Sequence, residues 1–274
     1  MTSDIITSDR VAVVTGAAMG IGKAAALHFA RAGMTVVLAD LPGEALERTA
    51  GEVAQAGNGV LMAPTDVGDP GQVVALHQGA MERYGRVDLL MNNAVTRLGR
   101  GFEADIADWR KAIDVNLWGV IEATRLFLPD MLAAGRPGMI VNVGSKQGIT
   151  NPPGHPIYNI AKSAVKTYTE ALQHDLRGRA DNVGPVTAHL LIPGWTTTGT
   201  NEHKPGAWLP DQVVDFTVAA LARGDFYILC PDDETTTEQD HKRVLWGAGD
   251  IVENRPPLSR WHPGWAEAAK EACS

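Results

Sequence analysis

The chain has 274 residues, 45% of them hydrophobic and 20% charged, which is enough apolar material for the full core of an α/β domain; such domains often reach about 250 residues. Its formal charge of −8, with no lysine or arginine run, argues against nucleic acid as the main partner, because phosphate binding needs a basic face. No apolar run approaches the roughly 20 residues of a membrane helix, MTSDIITSDR lacks the charged-then-apolar plan of a signal peptide, and Cys230 and Cys273 form neither a metal spacing nor a disulfide framework, so a reducing cytoplasm is the expected setting.

The first predicted strand, VAVVT (11–15), runs into Gly16, Gly20 and Gly22 before a helix over 20–32. Glycines in such a turn let backbone approach a pyrophosphate, and the helix N-terminus supplies free N–H groups. Met19 and Ile21 fill the turn, and the absence of Gly-Lys-Ser/Thr argues against a triphosphate loop. A tight turn with no ligand uses the same residues. The second strand (34–40) ends on Asp40, whose carboxylate can accept hydrogen bonds from both adenine-ribose hydroxyls and would repel a 2′-phosphate. Neither Met19 nor Leu41 supplies an arginine, so the cofactor expected is NAD rather than NADP. A helix (43–56) leads to a third strand (59–66), where Asp66, followed by Val67, can meet the adenine amino group. Both aspartates read equally well as turn or helix-cap residues.

Further along come a helix over 70–84, a strand over 87–93, a helix over 104–134, a strand over 138–145, a helix over 156–178, a strand over 186–193, a helix over 210–223 and a strand over 226–231. Seven strands alternating with helices, and rich in Val, Ile and Leu, predict a single-domain Rossmann fold over 1–274: a seven-stranded parallel sheet with helices on both faces. Residues 194–208 are irregular and follow a strand, where open α/β sheets bind ligands. The tail (232–274) reads as less regular, with Trp246, Trp261 and Trp265.

In IYNIAKSAVK, Tyr158 and Lys162 stand four apart on one helix face. A free phenol has a pKa of roughly 10, and a neighbouring cation favours its phenolate. The pair therefore suits acid/base work, although the same spacing occurs on ordinary surface helices.

Taken together, TGAAMGIG (15–22), NNAV (92–95), Asn116, Ser145, Tyr158-Asn-Ile-Ala-Lys162 and Ile192-Pro193-Gly194, with Thr196 and Thr198, resemble the short-chain dehydrogenase/reductase family over roughly residues 10–230. The resemblance implies an NAD(H)-dependent alcohol dehydrogenase or ketone reductase. Tyr158 would be the acid/base, with Lys162 depressing its pKa and binding the nicotinamide ribose. Ser145 would hold the substrate oxygen, and Asn116 a relay water. Cofactor contacts would come from Gly16, Met19, Gly20, Ile21, Gly22, Asp40, Leu41, Asp66, Val67, Asn93, Ala94, Ile192, Pro193, Gly194, Thr196 and Thr198, with Tyr158 and Lys162. Val95 departs from the family's glycine, and its β-branched side chain narrows the allowed backbone there.

Substrate specificity is expected from the segment after Ser145, from 194–208 and from the tail, with Gln147, His155, Trp195 and Trp208 as candidate contacts. Lys204 is the only cation in 194–208, and aromatic content without an arginine fork suggests a neutral alcohol or ketone with an apolar or aromatic group. The eight histidines form no metal pattern. The family resemblance also implies homodimers or homotetramers built by pairing of the Tyr158 helix and the one before it. An enoyl-type reductase and a non-catalytic NAD-binding sensor on the same fold are the alternatives.

Overall fold

A computed structural model describes residues 5–179, 185–199 and 201–274. Seven strands, β1 (Val11–Thr15), β2 (Thr35–Asp40), β3 (Gly59–Pro64), β4 (Leu89–Asn92), β5 (Gly138–Val143), β6 (Val186–Ile192) and β7 (Tyr227–Leu229), form one sheet in the order β3-β2-β1-β4-β5-β6-β7. Every neighbouring pair is parallel. All five residues of β1 are buried, and they split by parity. Ala12 and Val14 pack with Phe29, Val213 and Leu221 on one face, while Val11 and Val13 pack with Val73, Phe127 and Leu176 on the other. Side chains that alternate between two covered faces explain why these strands are apolar throughout.

The first face is covered by α1 (Gly20–Arg31), α2 (Glu44–Ala56) and α8 (Pro210–Arg223), and the second by α3 (Pro70–Tyr84), α5 (Gly119–Ala133) and α7 (Pro156–Gly178). The chain moves outward from β1 to β3, then crosses back to β4 beside β1. That reversal opens a crevice beyond the carboxyl ends of β1 and β4.

Most predicted strands overrun the observed ones by one or two residues at an end. Asp66, Ser145 and Pro193 therefore lie in loops just past their strands, where the ladder has ended and side chains turn toward the crevice. The predicted helix over 104–134 is divided. α4 (Ile106–Ile113), capped by the Asp105 carboxylate accepting from the Ala107 N–H at 2.7 Å, passes through a π-turn (Asp114–Trp118) into α5. A single widened turn leaves the apolar period nearly unchanged, so it is silent in the sequence. A short helix, α6 (Gln147–Thr150), follows Ser145.

The tail is helical, contrary to expectation. α9 (Thr237–Val252) opens with a capping box: the Thr236 hydroxyl accepts from the Gln239 N–H, and the Gln239 side chain accepts from the Thr236 N–H. α10 (Ala266–Ala272) follows. The tail tryptophans pack largely within the tail. The Arg255 guanidinium lies 4.1 Å from the Trp246 ring centre, the Trp246 and Trp265 rings are 6.5 Å apart, and the Trp246 indole donates to Ser259.

At the end of the sheet opposite the crevice, the fully buried Asp88 carboxylate meets Arg10 at 3.0 Å, Arg86 at 3.3 Å and Arg136 at 3.1 Å, and accepts from the Val11 N–H. These partners tie the starts of β1, β4 and β5. Asp88→Ala would leave the arginines without their common anion and is expected to lower the unfolding free energy by about 3 kcal/mol, read by urea denaturation.

Candidate active site

The glycine turn closes tightly. A Cβ on Gly22 would collide with the Gly16 carbonyl oxygen, so the first turn of α1 requires glycine there. The turn is braced across the crevice by Asn93, whose side-chain amide donates to the carbonyls of Thr15 (2.9 Å) and Gly16 (3.0 Å). The N–H groups of Asn93 and Ala94 both donate to the Thr15 hydroxyl. Met19, exposed at the N-cap of α1, provides no side-chain cap, which leaves the helix start open to an anion. Ile21 packs inward. Glycine cradle, uncapped helix start and switch-point crevice together fit a dinucleotide pyrophosphate.

Asp40 lies at the end of β2 with its carboxylate accepting from the N–H of Ala18 (2.8 Å) and of Leu41 (2.7 Å); the Leu41 side chain is exposed. The turn role is thus present, and each carboxylate oxygen retains further acceptor capacity. Asp66 accepts from Lys111 at 2.6 Å and from the Gly68 N–H at 2.9 Å. Partial burial pushes its carboxyl up, but these two partners prevail and hold it below the ordinary value. Val67 is buried against Gly119.

On the far side, Ile192 is buried, and Pro193 and Gly194 follow β6. The Thr196 hydroxyl donates to the Gly194 carbonyl, and Thr198 lies against Gly20, so this segment lies over the glycine turn. Trp195 is partly exposed and its N–H donates to Asp232. Trp208 is engaged elsewhere: its indole donates to Asp233 and its ring packs against Phe216.

Ser145, Tyr158 and Lys162 come together at the carboxyl end of β5. The Ser145 hydroxyl accepts from the Gln147 N–H at 3.1 Å and is near enough to the Tyr158 phenol to act on its pKa. Tyr158 is buried in the first turn of α7, and Lys162, one turn on, is also buried. The Lys162 ammonium donates to the Val143 carbonyl at 2.7 Å and lies 5.9 Å from the Tyr158 ring centre. The carboxamide oxygen of Gln147 is buried without a partner. His155 stands at the N-cap position of α7 without a side-chain cap; burial, then Arg100 and Arg97, keep its imidazole below the usual pKa.

Three expected features take another form here. Lys162 is not among the groups that act on the tyrosine. Burial raises the Tyr158 pKa, with Arg97 and the Ser145 hydrogen bond offsetting only part, while burial followed by Arg97 pulls Lys162 itself down to about 8. The Asn116 side chain engages the chain's own backbone: its amide accepts from the Thr96 N–H and donates to the Thr96 carbonyl, both at 2.9 Å, while the amide keeps one further donor and one further acceptor site. Val95 causes no strained turn; it is exposed and its backbone stays outside the left-handed region.

Arg97 is the residue that sequence reasoning passed over. Its guanidinium lies 5.0 Å from the Tyr158 ring centre. The expectation of a neutral substrate weighed only the cations of 194–208, and Arg97 lies outside that segment. The visible signal was R-L-G-R-G after the NNAV turn. Buried Gly99, at φ 73°, bends this segment, and a Cβ there would press on Ile157 and Trp109 at 3.0 Å.

The loops around this cluster are joined to the tail. The Lys146 ammonium sits between Asp232 (3.0 Å) and Asp240 (2.6 Å), all three largely buried. Asp232 also accepts the Trp195 N–H, so one carboxylate connects the residue after Ser145 with the loop after Gly194.

A crevice at a switch point, a glycine cradle and a buried Ser/Tyr/Lys cluster define a nicotinamide-cofactor oxidoreductase of the α/β class. The short chain dehydrogenase family matches residues 10–206, and the chain belongs to it. It is similar to the 1-deoxy-11-beta-hydroxypentalenate dehydrogenase of Streptomyces exfoliatus, with 35% identity over 266 residues, covering 92% of this chain and 94% of that one. Among solved structures it resembles a short chain dehydrogenase/reductase from Burkholderia phymatum in complex with NAD, with a TM-score of 0.82, 34% identity, and 92% and 98% of the two chains covered. It also resembles a metagenomic short-chain oxidoreductase in complex with NADP, with a TM-score of 0.69, 29% identity, and 82% and 98% covered.

Replacing Lys146 with methionine would leave Asp232 and Asp240 as buried like charges. The expected result is a stability loss of about 3 kcal/mol by denaturation, with faster amide hydrogen exchange at Trp195 and in the first turn of α9.

Proposed function

We propose that the protein is an NAD(H)-dependent oxidoreductase that interconverts a secondary alcohol and a ketone, with Tyr158 as the acid/base. The observation that carries this reading is the buried Tyr158 phenol, set near Ser145 and with the Lys162 ammonium 5.9 Å from its ring centre. The bound nicotinamide supplies the hydride chemistry. In the oxidising direction the Ser145 hydroxyl holds the substrate oxygen, and the Tyr158 phenolate takes the hydroxyl proton. In the reducing direction the phenol returns it. Burial disfavours the phenolate, and the Arg97 guanidinium nearby acts to offset part of that cost. Oxidation should accordingly rise with pH as the phenolate fraction grows, and reduction should be favoured at lower pH.

Gly16, Gly20, Gly22, Asn93 and Ala94 would frame the pyrophosphate and nicotinamide side, and Asp40 the adenine ribose. We read NAD over NADP because the end of β2 presents a carboxylate followed by Leu41, with no cation to receive a 2′-phosphate; the NAD-bound relative is consistent with this, the NADP-bound one with the alternative. Residues 1–274 are taken as one catalytic domain, with 194–208 serving the substrate and the tail bracing that loop. A homodimer or homotetramer paired through α5 and α7 is supported by exposed Trp118, just before α5, and Ile160 on α7. No helix among the described residues is long and apolar enough to cross a membrane, and a cytoplasmic setting is the accompanying proposal.

Tyr158→Phe is expected to lower kcat by about 10²–10⁴-fold while NADH affinity, read by fluorescence titration, is kept. Unchanged turnover would favour a role other than catalysis for this cluster. Asp40→Ala should erode the NAD-over-NADP ratio of kcat/KM, and an unchanged ratio would overturn the cofactor assignment.

A further inference from the structure

Arg97 presents an arrangement that the proton chemistry alone does not require. It is an exposed arginine whose guanidinium lies over the face of the buried Tyr158 ring. Its position is held from two sides. Asn116 grips the backbone of the preceding Thr96 in both directions, and the Gly99 bend seats the following residues against Ile157 and Trp109. Arg100, from the same bend, acts on His155 at the entrance to α7. Neither arginine has a carboxylate partner among the described residues, although the chain carries 32 acidic against 24 basic side chains. The charged groups that act on Tyr158, Lys162 and His155 are themselves cations.

The site is therefore a local positive region in an acidic protein. A neutral substrate entering it would cover the Arg97 guanidinium and strip its water without giving an anion in return, which is costly. A carboxylate would accept the planar donor fork in two parallel hydrogen bonds and balance the charge at the moment water is expelled. Gln147, whose buried carboxamide oxygen has no partner, follows Ser145 by two residues; as an acceptor it suits a hydroxyl donor and not the carboxylate.

We propose that Arg97 is a specificity-determining residue that binds a carboxylate carried by the substrate a few bonds from its carbinol carbon, making the substrate class a hydroxy acid and its oxo acid. This deepens, and rests on, the secondary-alcohol reading. It replaces the expectation of a neutral substrate, which considered only the cations of 194–208.

The test compares hydroxy acids with their own methyl esters, using mandelate and 3-hydroxyhexanoate, on wild type, Arg97→Gln and Arg97→Lys. NAD reduction is followed by absorbance, and binding of the same compounds to NADH-saturated protein by calorimetry. The expected result is that wild type prefers an acid to its ester. In Arg97→Gln the acid-to-ester ratio of kcat/KM should fall about 10- to 100-fold, the worth of a charge-assisted hydrogen-bond pair, mainly through KM. Arg97→Lys, which keeps the charge but loses the fork, should fall between. Removing the positive charge should also move the rise in ester oxidation to higher pH, because the Tyr158 phenolate loses a stabilising neighbour. Equal use of acid and ester by wild type, or an equal loss on both in Arg97→Gln, would overturn the inference and leave the dehydrogenase reading standing. Acid binding that is lost in Arg97→Gln, without turnover of any compound, would uphold the carboxylate site and overturn the secondary-alcohol reading. Neither binding nor turnover of the acids would overturn the inference itself.

Discussion

The site depends on one constraint: β1 and β4 lie side by side while the chain leaves them in opposite directions. The loops that follow must then diverge, and a crevice opens at their carboxyl ends. Divergence alone would leave the crevice walls unsupported. Thr15 and Asn93 supply the support, with four hydrogen bonds across the gap between the two strand ends. The asparagine thus acts first on the protein's own backbone, holding the carbonyls of the glycine turn so that the opposite side of that turn stays open. A second buried polar link works deeper in the sheet. The Asn92 amide donates to Thr124 and to Asn142, and the Asn142 amide donates to Thr169, joining β4 and β5 to α5 and α7. α7 carries the tyrosine and the lysine, so its position relative to the strand ends is set by this network as well as by apolar packing.

Burial shapes the chemistry more than the Tyr158–Lys162 pair does. Spacing puts the two residues on one face, but it says nothing about how dry that face is. In the folded protein the lysine spends a donor on the Val143 carbonyl and loses much of its charge preference to desolvation. A phenol raised by burial needs positive charge from outside the helix, and the segment after β4 provides it. The β4–α4 segment thereby sets the charge over the Tyr158 ring.

The fold was legible because parallel strands buried on both faces appear as unbroken apolar runs, and because glycine, proline and aspartate mark the turns between them. The site was legible where a short motif carries its own geometry, as in Tyr158–Lys162 on a helix or Gly16–Gly22 at a βα turn. Three features were not. Arg97 reaches Tyr158 through a bend at Gly99 and contacts with Ile157 and Trp109, which are distant in sequence. The engagement of Asn116 with Thr96 needs a widened helical turn that leaves the apolar period almost untouched. α9 has Asp240 as its only fully buried residue, so a search for an apolar stripe has nothing to find; the Thr236-x-x-Gln239 box was the one local sign.

That buried aspartate explains why the tail belongs to the site. An isolated carboxylate inside a protein is expensive, and burial indeed pushes the Asp240 pKa up. Lys146 makes its burial tolerable, but Lys146 is shared with Asp232, and Asp232 also holds the Trp195 N–H. No member can shift alone without stranding another charge. The residue after Ser145, the loop after Gly194 and the start of α9 are thereby bound into one electrostatic unit. Apolar packing of the tail would have tolerated sliding by a fraction of a turn; a lysine held between two carboxylates fixes one arrangement, and it does so within one residue of Ser145.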